Sequence, residues 1–335
     1  MNSHILLAHG SGGKLSHNLI EKQILPLLGN PMLNKLDDSS IFRIDGHVAF
    51  STDSYVVNPI FFPGGDIGKL AICGTVNDIS MSGARPLYLS LSIIIEEGFP
   101  LKDLKRIVMS IKSSSDEAGV SIVTGDTKVV NRGKADKLFI NTSGIGIIPP
   151  ECNISGSNAM AGDKVILSGS IGDHGIAIMS QREGLKFDVP VQSDCAPLNK
   201  LVAGLMENPT VIHCLRDPTR GGLSGTLNEF TQQSHNIGIS IEEESIPIKE
   251  EVKAACELLG LDPINIANEG KLVAVVSATS ADNILALMQQ NCYGKEARII
   301  GEVTSNYPGK VIMRTKLGAS RIVDMMSGEL LPRIC

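Results

Sequence analysis

Hydrophobic and polar positions follow two different periods along this chain, and together they predict a mixture of strands and amphipathic helices. Apolar residues recur at helical spacing from Leu101 to Ile111, and Gly119 follows, so an amphipathic helix is predicted to end at that glycine. An apolar run at 48–57, interrupted by Asp53 in Ser-Thr-Asp-Ser, is typical of a strand, and a run at 87–95, interrupted by Ser90 and Ser92, is typical of a buried strand. Further strands are predicted at 120–123, 138–148, 164–168, 237–241, 271–278, 297–303 and 310–314, and further helices from 15, from 66 to 83, from 223 to 233 and over 281–290. The alternation of the two element types predicts the mixed α/β class.

The chain has 335 residues, which is enough for two domains. A polar, turn-rich stretch at 149–162 is predicted to link them. We therefore predict one domain over 1–155, a second over 156–322 and a flexible tail over 323–335. Both halves carry glycine-rich turns that lead into helices, although no clean internal repeat relates them.

Composition excludes several classes of protein. The net charge of −6, from 30 basic and 36 acidic residues, argues against a nucleic-acid partner, and so does the absence of tryptophan. No apolar run approaches the length of a membrane span, and the first ten residues lack the features of a signal peptide. Seven scattered cysteines without a Cys-X-X-Cys motif predict reduced thiols and a cytoplasmic protein.

Four aspartates of the first half lie at the ends of predicted elements or interrupt their apolar patterns. They are Asp38, Asp53, Asp78 and Asp126. Each one alone is typical of a turn or a helix cap. Four carboxylates in one α/β half, without an excess of nearby basic residues, indicate bound cations instead. Hard oxygen ligands favour magnesium, and a nucleotide's phosphates usually complete its coordination shell.

Two polar motifs allow both a structural and a functional interpretation. Glycines at 10, 12 and 13 with Lys14 can bring backbone N–H groups close to a phosphate, although the sequence is not a P-loop and a flexible turn is the alternative. Glu269, between Asn268 and Gly270, is either an ordinary turn carboxylate or a general base held at a strand edge.

The chain ends in Pro-Arg-Ile-Cys, which places a thiol on the last residue. Few backbone contacts are expected to hold a terminal residue, so Cys335 is predicted to move. The arginine two residues earlier favours the thiolate, whereas the terminal carboxylate opposes it. Cys335 is therefore either an incidental thiol on a frayed end or a movable nucleophile.

Taken together, these motifs closely resemble the HypE family of hydrogenase maturation factors, within the PurM-like (AIR synthetase) superfamily. The resemblance covers nearly the whole chain. It is carried by Gly-Ser-Gly-Gly-Lys at 10–14, Asp37-Asp38, Ser-Thr-Asp-Ser at 51–54, Asn77-Asp78-Ile79, Gly-Asp-Thr-Lys at 125–128, Arg-Asp-Pro-Thr-Arg-Gly-Gly at 216–222, Asn-Glu-Gly at 268–270 and the Pro-Arg-Ile-Cys ending. Other members of the superfamily share the aspartate pattern but not that ending.

The resemblance implies two α/β domains of the PurM-like fold, with amino-terminal domains that pair in a homodimer. It implies an ATP site at the junction of the halves and the dimer seam. The implied activity is ATP-dependent dehydration of an S-carbamoyl group on Cys335 to a thiocyanate, which supplies the cyanide ligand of [NiFe]-hydrogenase iron. The implied partners are the carbamoyltransferase HypF and the HypC–HypD complex.

The resemblance also assigns roles to residues. Cys335 would carry the substrate, Glu269 would be the base, and Lys128 would stabilise the transferring phosphoryl group, with His9 able to share either of the last two roles. Contacts to ATP are expected from Gly10, Gly12, Gly13, Lys14, Asn77 and Thr127. Magnesium is expected on Asp38, Asp53, Asp78, Asp126 and Asp217.

Two other functions stay open from the sequence. One is a small-molecule kinase or synthetase of the same superfamily, similar to thiamine-monophosphate kinase, in which the terminal cysteine is incidental. The other is a thiol-bearing scaffold or metal chaperone without enzymatic activity. The second leaves the interrupting aspartates without a role.

Overall fold

The computed structural model describes residues 3–11, 13–184, 190–234, 236–326 and 333–335. Helices α1 to α9 span Lys14–Leu19, Leu25–Leu28, Ile67–Met81, Leu101–Ala118, Asp173–Arg182, Asn199–Leu205, Gly222–Gln233, Glu250–Leu259 and Ala281–Gln290. Strands β1 to β13 span Val48–Tyr55, Phe61–Phe62, Gly65–Asp66, Arg85–Glu96, Ser121–Val130, Leu138–Ile147, Lys164–Leu167, Ile212–Arg216, Gly238–Glu242, Val273–Val276, Arg298–Thr304, Val311–Arg314 and Ser320–Val323.

The first half contains a four-stranded sheet in the order β1-β6-β4-β5, of which β4 and β5 are parallel. Side chains along β6 alternate between buried and half-buried, and the buried set faces α3. On the opposite face large apolar side chains are exposed, among them Phe50 (68%), Val48 (45%) and Ile94 (40%). Helices of the described chain therefore cover one face of this sheet and leave an apolar face open.

Helix α3 is the element that connects the first half to the second. Its N-cap Asp66 accepts hydrogen bonds from the N–H groups of Gly68 (2.9 Å) and Lys69 (3.0 Å), an arrangement that contributes about 1 kcal/mol. A side chain at Gly68 would lie 2.7 Å from the carbonyl oxygen of Ile107, so glycine lets α3 and α4 pack closely. Nearly every residue of α3 is buried, because the helix is covered on both sides.

The second half contains a seven-stranded sheet in the order β13-β12-β9-β11-β7-β10-β8, in which only β9 and β12 pair in parallel. Helix α7 packs on one face, where Leu227 and Phe230 are fully buried. Helices α6 and α9 pack on the other face, where Leu201 and Met288 are buried. A sheet with helices on both faces completes the mixed α/β class that the sequence predicts.

The predicted elements are confirmed except at particular ends. The predicted strand at 120–123 extends to Val130, because β5 pairs along its whole length with β4, so the Gly-Asp-Thr-Lys motif lies inside a strand and not after it. The predicted strand at 271–278 shortens to Val273–Val276. Helices α6 and α8 and strands β2, β3, β8 and β13 are absent from the sequence prediction.

The hydrophobic cores of the two halves are partly shared, since Ile178 and Ala267 of the second half lie in the core of the first. The domain limits at 155 and 322 stay a prediction. From the sequence, the simplest interpretation of the six cysteines before the terminus is that they are small buried apolar residues. This interpretation is wrong for Cys292, which is exposed, and holds only partly for Cys152. No helix within the described residues has both the length and the apolar character to cross a membrane.

Candidate active site

The two halves of the chain meet at the side chain of Asn77 on α3. Its Nδ2 donates to the carbonyl oxygens of Ala196 (3.1 Å) and Glu269 (3.3 Å), and its Oδ1 accepts from the N–H of Leu198 (2.8 Å). Asn77 is 1% exposed, so water does not compete for these bonds. The amide therefore holds the junction together, and its predicted contact with ATP stays a prediction.

Three of the five predicted metal-binding aspartates come together at this junction: Asp53 on β1, Asp78 on α3 and Asp217 after β8. Burial raises the pKa of Asp78, the 2.8 Å hydrogen bond from Ser51 Oγ lowers it, and the charge of Asp53 raises it again. Burial raises the pKa of Asp217 to about 7, and the charge of Asp78 adds to the shift. Carboxylates that raise one another's pKa need a cation in order to ionise together.

Glu269 lies in the turn before β10 and is 3% exposed. Burial raises its pKa well above the ordinary value, and the nearby charges of Cys195, Asp217 and Asp194 add to the effect. Its backbone is fixed, because the carboxylate of Asp194 accepts from the N–H groups of Glu269 (3.1 Å) and Gly270 (3.3 Å). Within the described residues no hydrogen bond reaches the Glu269 carboxyl, which leaves it available to a molecule in the site.

The last three residues of the chain lie against the segment that follows β1. The N–H of Val56 donates to the carbonyl oxygen of Cys335 (3.2 Å), and the N–H of Asn58 donates to that of Arg333 (3.1 Å). Arg333 returns a bond from Nε to the carbonyl oxygen of Val56 at 3.0 Å. Ile334 is 5% exposed and belongs to the core of the first half. The terminal residues are therefore docked by main-chain and side-chain contacts.

This docking places Cys335 beside the acidic junction. Burial raises the pKa of its thiol to about 12, with the charges of Glu269 and Asp53 adding to the shift and that of Arg220 opposing it. The prediction that few backbone contacts hold the terminal residue is wrong for this conformation. The N–H groups of Val56 and Asn58, which follow β1, donate to the carbonyl oxygens of Cys335 and Arg333. The rest of the predicted tail includes 327–332, with Pro332, and that stretch lies outside the described residues.

Lys128 and Asp126 lie elsewhere in the same chain. They are exposed on β5, where the Lys128 Nζ pairs with Asp126 at 2.9 Å. Asp53 and Asp126 lie on the two outer strands of the first sheet, which are three strand spacings apart, or about 14 Å. The register places Lys128 beside Ile94, whose side chain is on the open face, whereas Asp53 lies on the face covered by α3. The structure therefore separates the predicted residues into a junction group, which consists of Asp53, Asp78 and Asp217, and a β5 group, which consists of Asp126 and Lys128.

The predicted phosphate contacts of the N-terminal loop lie near the β5 group. A cavity of about 240 Å³ is lined by His9, Gly10 and the residues from Thr124 to Lys128, including Thr127. His9 Nδ1 accepts from the N–H of Leu6 at 2.9 Å, which stabilises the turn. Gly13, Lys14 and Asp38 are exposed, and Gly12 lies outside the described residues.

Several residues of the site are absent from the sequence prediction. His174 and Arg182 bond the docked tail, and Asp194 fixes the turn that carries Glu269. Only His174 has a signal in the sequence, since it lies in the glycine-rich stretch at 169–175 that leads into α5. The others are recognisable only from contacts between distant parts of the chain.

The donor set of the junction group can be compared with what magnesium requires. Within the described residues no three His, Cys, Asp or Glu side chains converge closely enough to hold a metal ion alone. The carboxylates nevertheless lack a full cationic partner, as the raised pKa values of Asp78 and Asp217 indicate. Hard oxygen donors that are too few for a complete shell fit magnesium that arrives with phosphate oxygens and water.

Comparison with known proteins identifies the group to which this arrangement belongs. Residues 36–148 match the N-terminal domain of AIR synthase related proteins, and residues 160–314 match their C-terminal domain. The carbamoyl dehydratase HypE of Azotobacter vinelandii is 51% identical over the whole chain and 98% of that protein.

Two solved structures are similar over nearly the whole chain. A crystal structure of the hydrogenase maturation protein HypE in complex with ATP is 49% identical, with a TM-score of 0.95 over 98% of this chain and 99% of that one. A HypE–HypF complex contains a chain that is 51% identical, with a TM-score of 0.82 over 92% of this chain and 99% of that one.

Proposed function

The chain belongs to the HypE family of hydrogenase maturation proteins, and on this premise we propose that it uses ATP to dehydrate an S-carbamoyl group on its own Cys335 to a thiocyanate. The observation that carries the proposal is the position of Cys335, which is docked beside Glu269 and the junction aspartates. The binding of ATP by a relative of nearly the same structure supports the co-substrate.

The environment of the docked sulfur suits a neutral S-carbamoyl group (a thiocarbamate) and not a nucleophilic thiolate. With its pKa raised to about 12, the docked thiol of Cys335 is protonated at neutral pH and reacts poorly. Acceptance of the carbamoyl group therefore takes place with the tail undocked, where solvent restores the ordinary pKa. Docking then brings an uncharged S-carbamoyl group beside Glu269, so no charge has to be buried.

The reaction needs an oxygen to leave a carbon atom, and phosphate makes that possible. The carbamoyl oxygen attacks the γ-phosphorus of ATP, a new P–O bond forms, and the bond to the β-phosphate oxygen breaks to release ADP. One nitrogen proton is lost, which gives an iminophosphate. Loss of the second nitrogen proton forms the C≡N bond as the C–O bond breaks and phosphate departs. The products are the thiocyanate, ADP, phosphate and one net proton.

Glu269 is the proposed acceptor of the nitrogen proton. Its pKa, raised by burial, makes the ionised carboxylate a strong base, and its backbone is held by Asp194. A positioned base of this kind contributes about 10²–10⁴-fold in rate. The junction aspartates Asp53, Asp78 and Asp217 would hold magnesium, which neutralises charge on the phosphates when it is bound.

Lys128 requires a second copy of the chain if it is to act on the same phosphates. It lies on the opposite face of the first sheet from Asp53, at the other edge. The open face, with Phe50 68% exposed, is a large apolar surface of the kind that marks a protein interface. Pairing of two copies through this face would bring the β5 group of one copy toward the junction group of the other. Asp38 and Asp126 would then contribute to magnesium binding across the seam.

The partners follow from the family. A HypE relative is solved in complex with HypF, which supports HypF as the source of the carbamoyl group here. The HypC–HypD complex is proposed as the recipient of the cyano group on the family resemblance alone.

The proposal is tested by intact mass after incubation with the carbamoyltransferase and then with ATP. The expected result is a gain of about 43 Da and then a loss of about 18 Da, both on the C-terminal peptide, as formula masses for carbamoylation and dehydration coupled to phosphoryl transfer. Cys335→Ala is expected to remain folded and to show neither change. ATP consumption that does not depend on Cys335 would favour a small-molecule kinase instead, and metal binding without nucleotide binding would favour a scaffold.

A further inference from the structure

A fully buried histidine contacts the chain one residue before the terminal cysteine. His174 is 0% exposed, and its Nε2 lies 2.6 Å from the carbonyl oxygen of Ile334. Its Nδ1 lies 2.8 Å from Ser193 Oγ, and the ring meets the edge of Phe62 with centroids 5.5 Å apart. Both ring nitrogens are thus engaged, and one of them bonds the peptide group that connects to Cys335.

The hydrogen-bond partners determine which nitrogen carries the proton. A carbonyl oxygen can only accept, so the Nε2 of His174 must donate to Ile334. Ser193 Oγ accepts from the N–H of Cys195 at 3.1 Å and can therefore donate its own proton to Nδ1. Burial lowers the pKa of His174 and favours this neutral form. The ring is a fixed neutral donor directed at the tail.

His174 belongs to the same rigid unit as the proposed base. The N–H of Gly175 donates to the carbonyl oxygen of Ala267 at 3.1 Å, and the N–H of Gly172 donates to Asn268 Oδ1 at 2.7 Å. Both acceptors immediately precede Glu269 in the chain. A group that holds the tail from this turn therefore holds it in a constant position relative to Glu269.

We propose that His174 is a positioning residue: its Nε2–H bond to the Ile334 carbonyl sets how deeply Cys335 enters the site and orients its cargo toward Glu269. The bonds from Arg182 and Asn58 to the Arg333 carbonyl retain the tail two residues earlier, whereas His174 acts on the peptide group next to the sulfur. That the held group is the reacting one rests on the proposed function.

Alkylation of Cys335 measures the docking directly and needs no carbamoyl chemistry. The docked thiol is partly buried with a raised pKa, so a maleimide reacts mainly with the undocked tail. His174→Asn removes the donor at the Nε2 position but keeps an acceptor, the Oδ1 of asparagine, near the position of Nδ1. His174→Gln retains a donor near Nε2. Rates are read by mass spectrometry of the C-terminal peptide in the full chain, with exposed Cys292 as the internal reference.

The expected result is that His174→Asn raises the alkylation rate of Cys335 about ten-fold, because a buried carbonyl loses its partner. His174→Gln is expected to stay within about three-fold of the native chain, and Cys292 is expected not to change. A Cys335 rate in His174→Asn within about two-fold of native, or equal rates in the two variants, would overturn the proposal.

If His174→Asn does not fold, as shown by its thermal melt, Ser193→Ala takes its place. This variant removes the partner that fixes the ring and is expected to raise the Cys335 rate a few-fold, and no rise would overturn the proposal. If the alkylation rates change as expected but the carbamoylated chain never forms the thiocyanate, the positioning role stands and the proposed function is refuted.

Discussion

Replacement of Glu269 by glutamine is the most informative single change, because it removes the proposed base while keeping its shape. Glu269 is 3% exposed and its carboxyl has no hydrogen bond among the described residues, so the loss of charge leaves no partner unpaired. A base contributes about 10²–10⁴-fold, which corresponds to about 3 to 5.5 kcal/mol in the barrier. Glu269→Gln is therefore expected to lower the single-turnover dehydration rate by that factor and to leave ATP affinity near the native value.

The same substitution has a second expected effect, on stability. The pKa of Glu269 is raised in the folded chain, so its contribution to stability is fully present below the unfolded pKa of about 4.3 and is lost as the pH rises through the folded pKa. Glutamine does not titrate. The variant is therefore expected to melt higher than the native chain at pH 8 and to converge with it near pH 4.

The assay uses chains loaded with the carbamoyl group and mixed with ATP, with phosphate release and peptide mass followed over time. Glu257→Gln is the matched control, because Glu257 is an exposed glutamate on α8, in the second half. Dehydration by Glu269→Gln within about ten-fold of native would show that another group is the base. Loss of ATP affinity in parallel with the rate would show that Glu269 binds nucleotide instead.

Three further experiments test separate parts of the site. Asp217→Asn removes a carboxyl whose pKa is raised to about 7. The stability of the native chain is therefore expected to fall as the pH rises from 4 to 7, and thermal melts are expected to show a smaller fall for the variant. Magnesium-dependent turnover of the variant is expected to drop. Phe50→Glu is expected to convert a dimer to monomers in sedimentation, whereas Leu317→Glu, at a position that is 97% exposed, is expected not to. Lys128→Ala and Cys335→Ala chains are each expected to be inactive alone, yet a mixture should recover on the order of a quarter of native turnover, since half of the dimers would carry one complete site. No recovery would show that Lys128 acts within its own chain, and turnover by the Lys128→Ala chain alone would show that Lys128 has no role.

The spacing of apolar residues along the chain was sufficient to predict most of the helices and strands. The helical spacing from Leu101 to Ile111 and the stop at Gly119 correspond to α4, which ends at Ala118. Local pattern failed where pairing with a distant strand decides the outcome, as in β5, whose second half is extended because β4 continues beside it. Sequence gives the preference of a segment but not the length of its partner.

The candidate site divides in the same way. Asp53 and Asp78 could be singled out from the sequence, because a carboxylate that interrupts an apolar pattern is costly without a functional reason. Glu269 is singled out by its place before a strand and by the family resemblance. The separation of Lys128 from Asp53 could not be predicted, since it depends on the strand order β1-β6-β4-β5. The contact of His174 with Ile334 joins residues 160 positions apart, and no local pattern encodes it.

The central claim is that ATP removes the carbamoyl oxygen from the group on Cys335 as phosphate. A carbamoyl group labelled with oxygen-18 tests it, with the loaded chain given unlabelled ATP in unlabelled water and the products analysed by mass spectrometry. The account predicts that the label is found in inorganic phosphate, in an amount equal to the thiocyanate formed at Cys335. Label in water, with phosphate unlabelled, would contradict it.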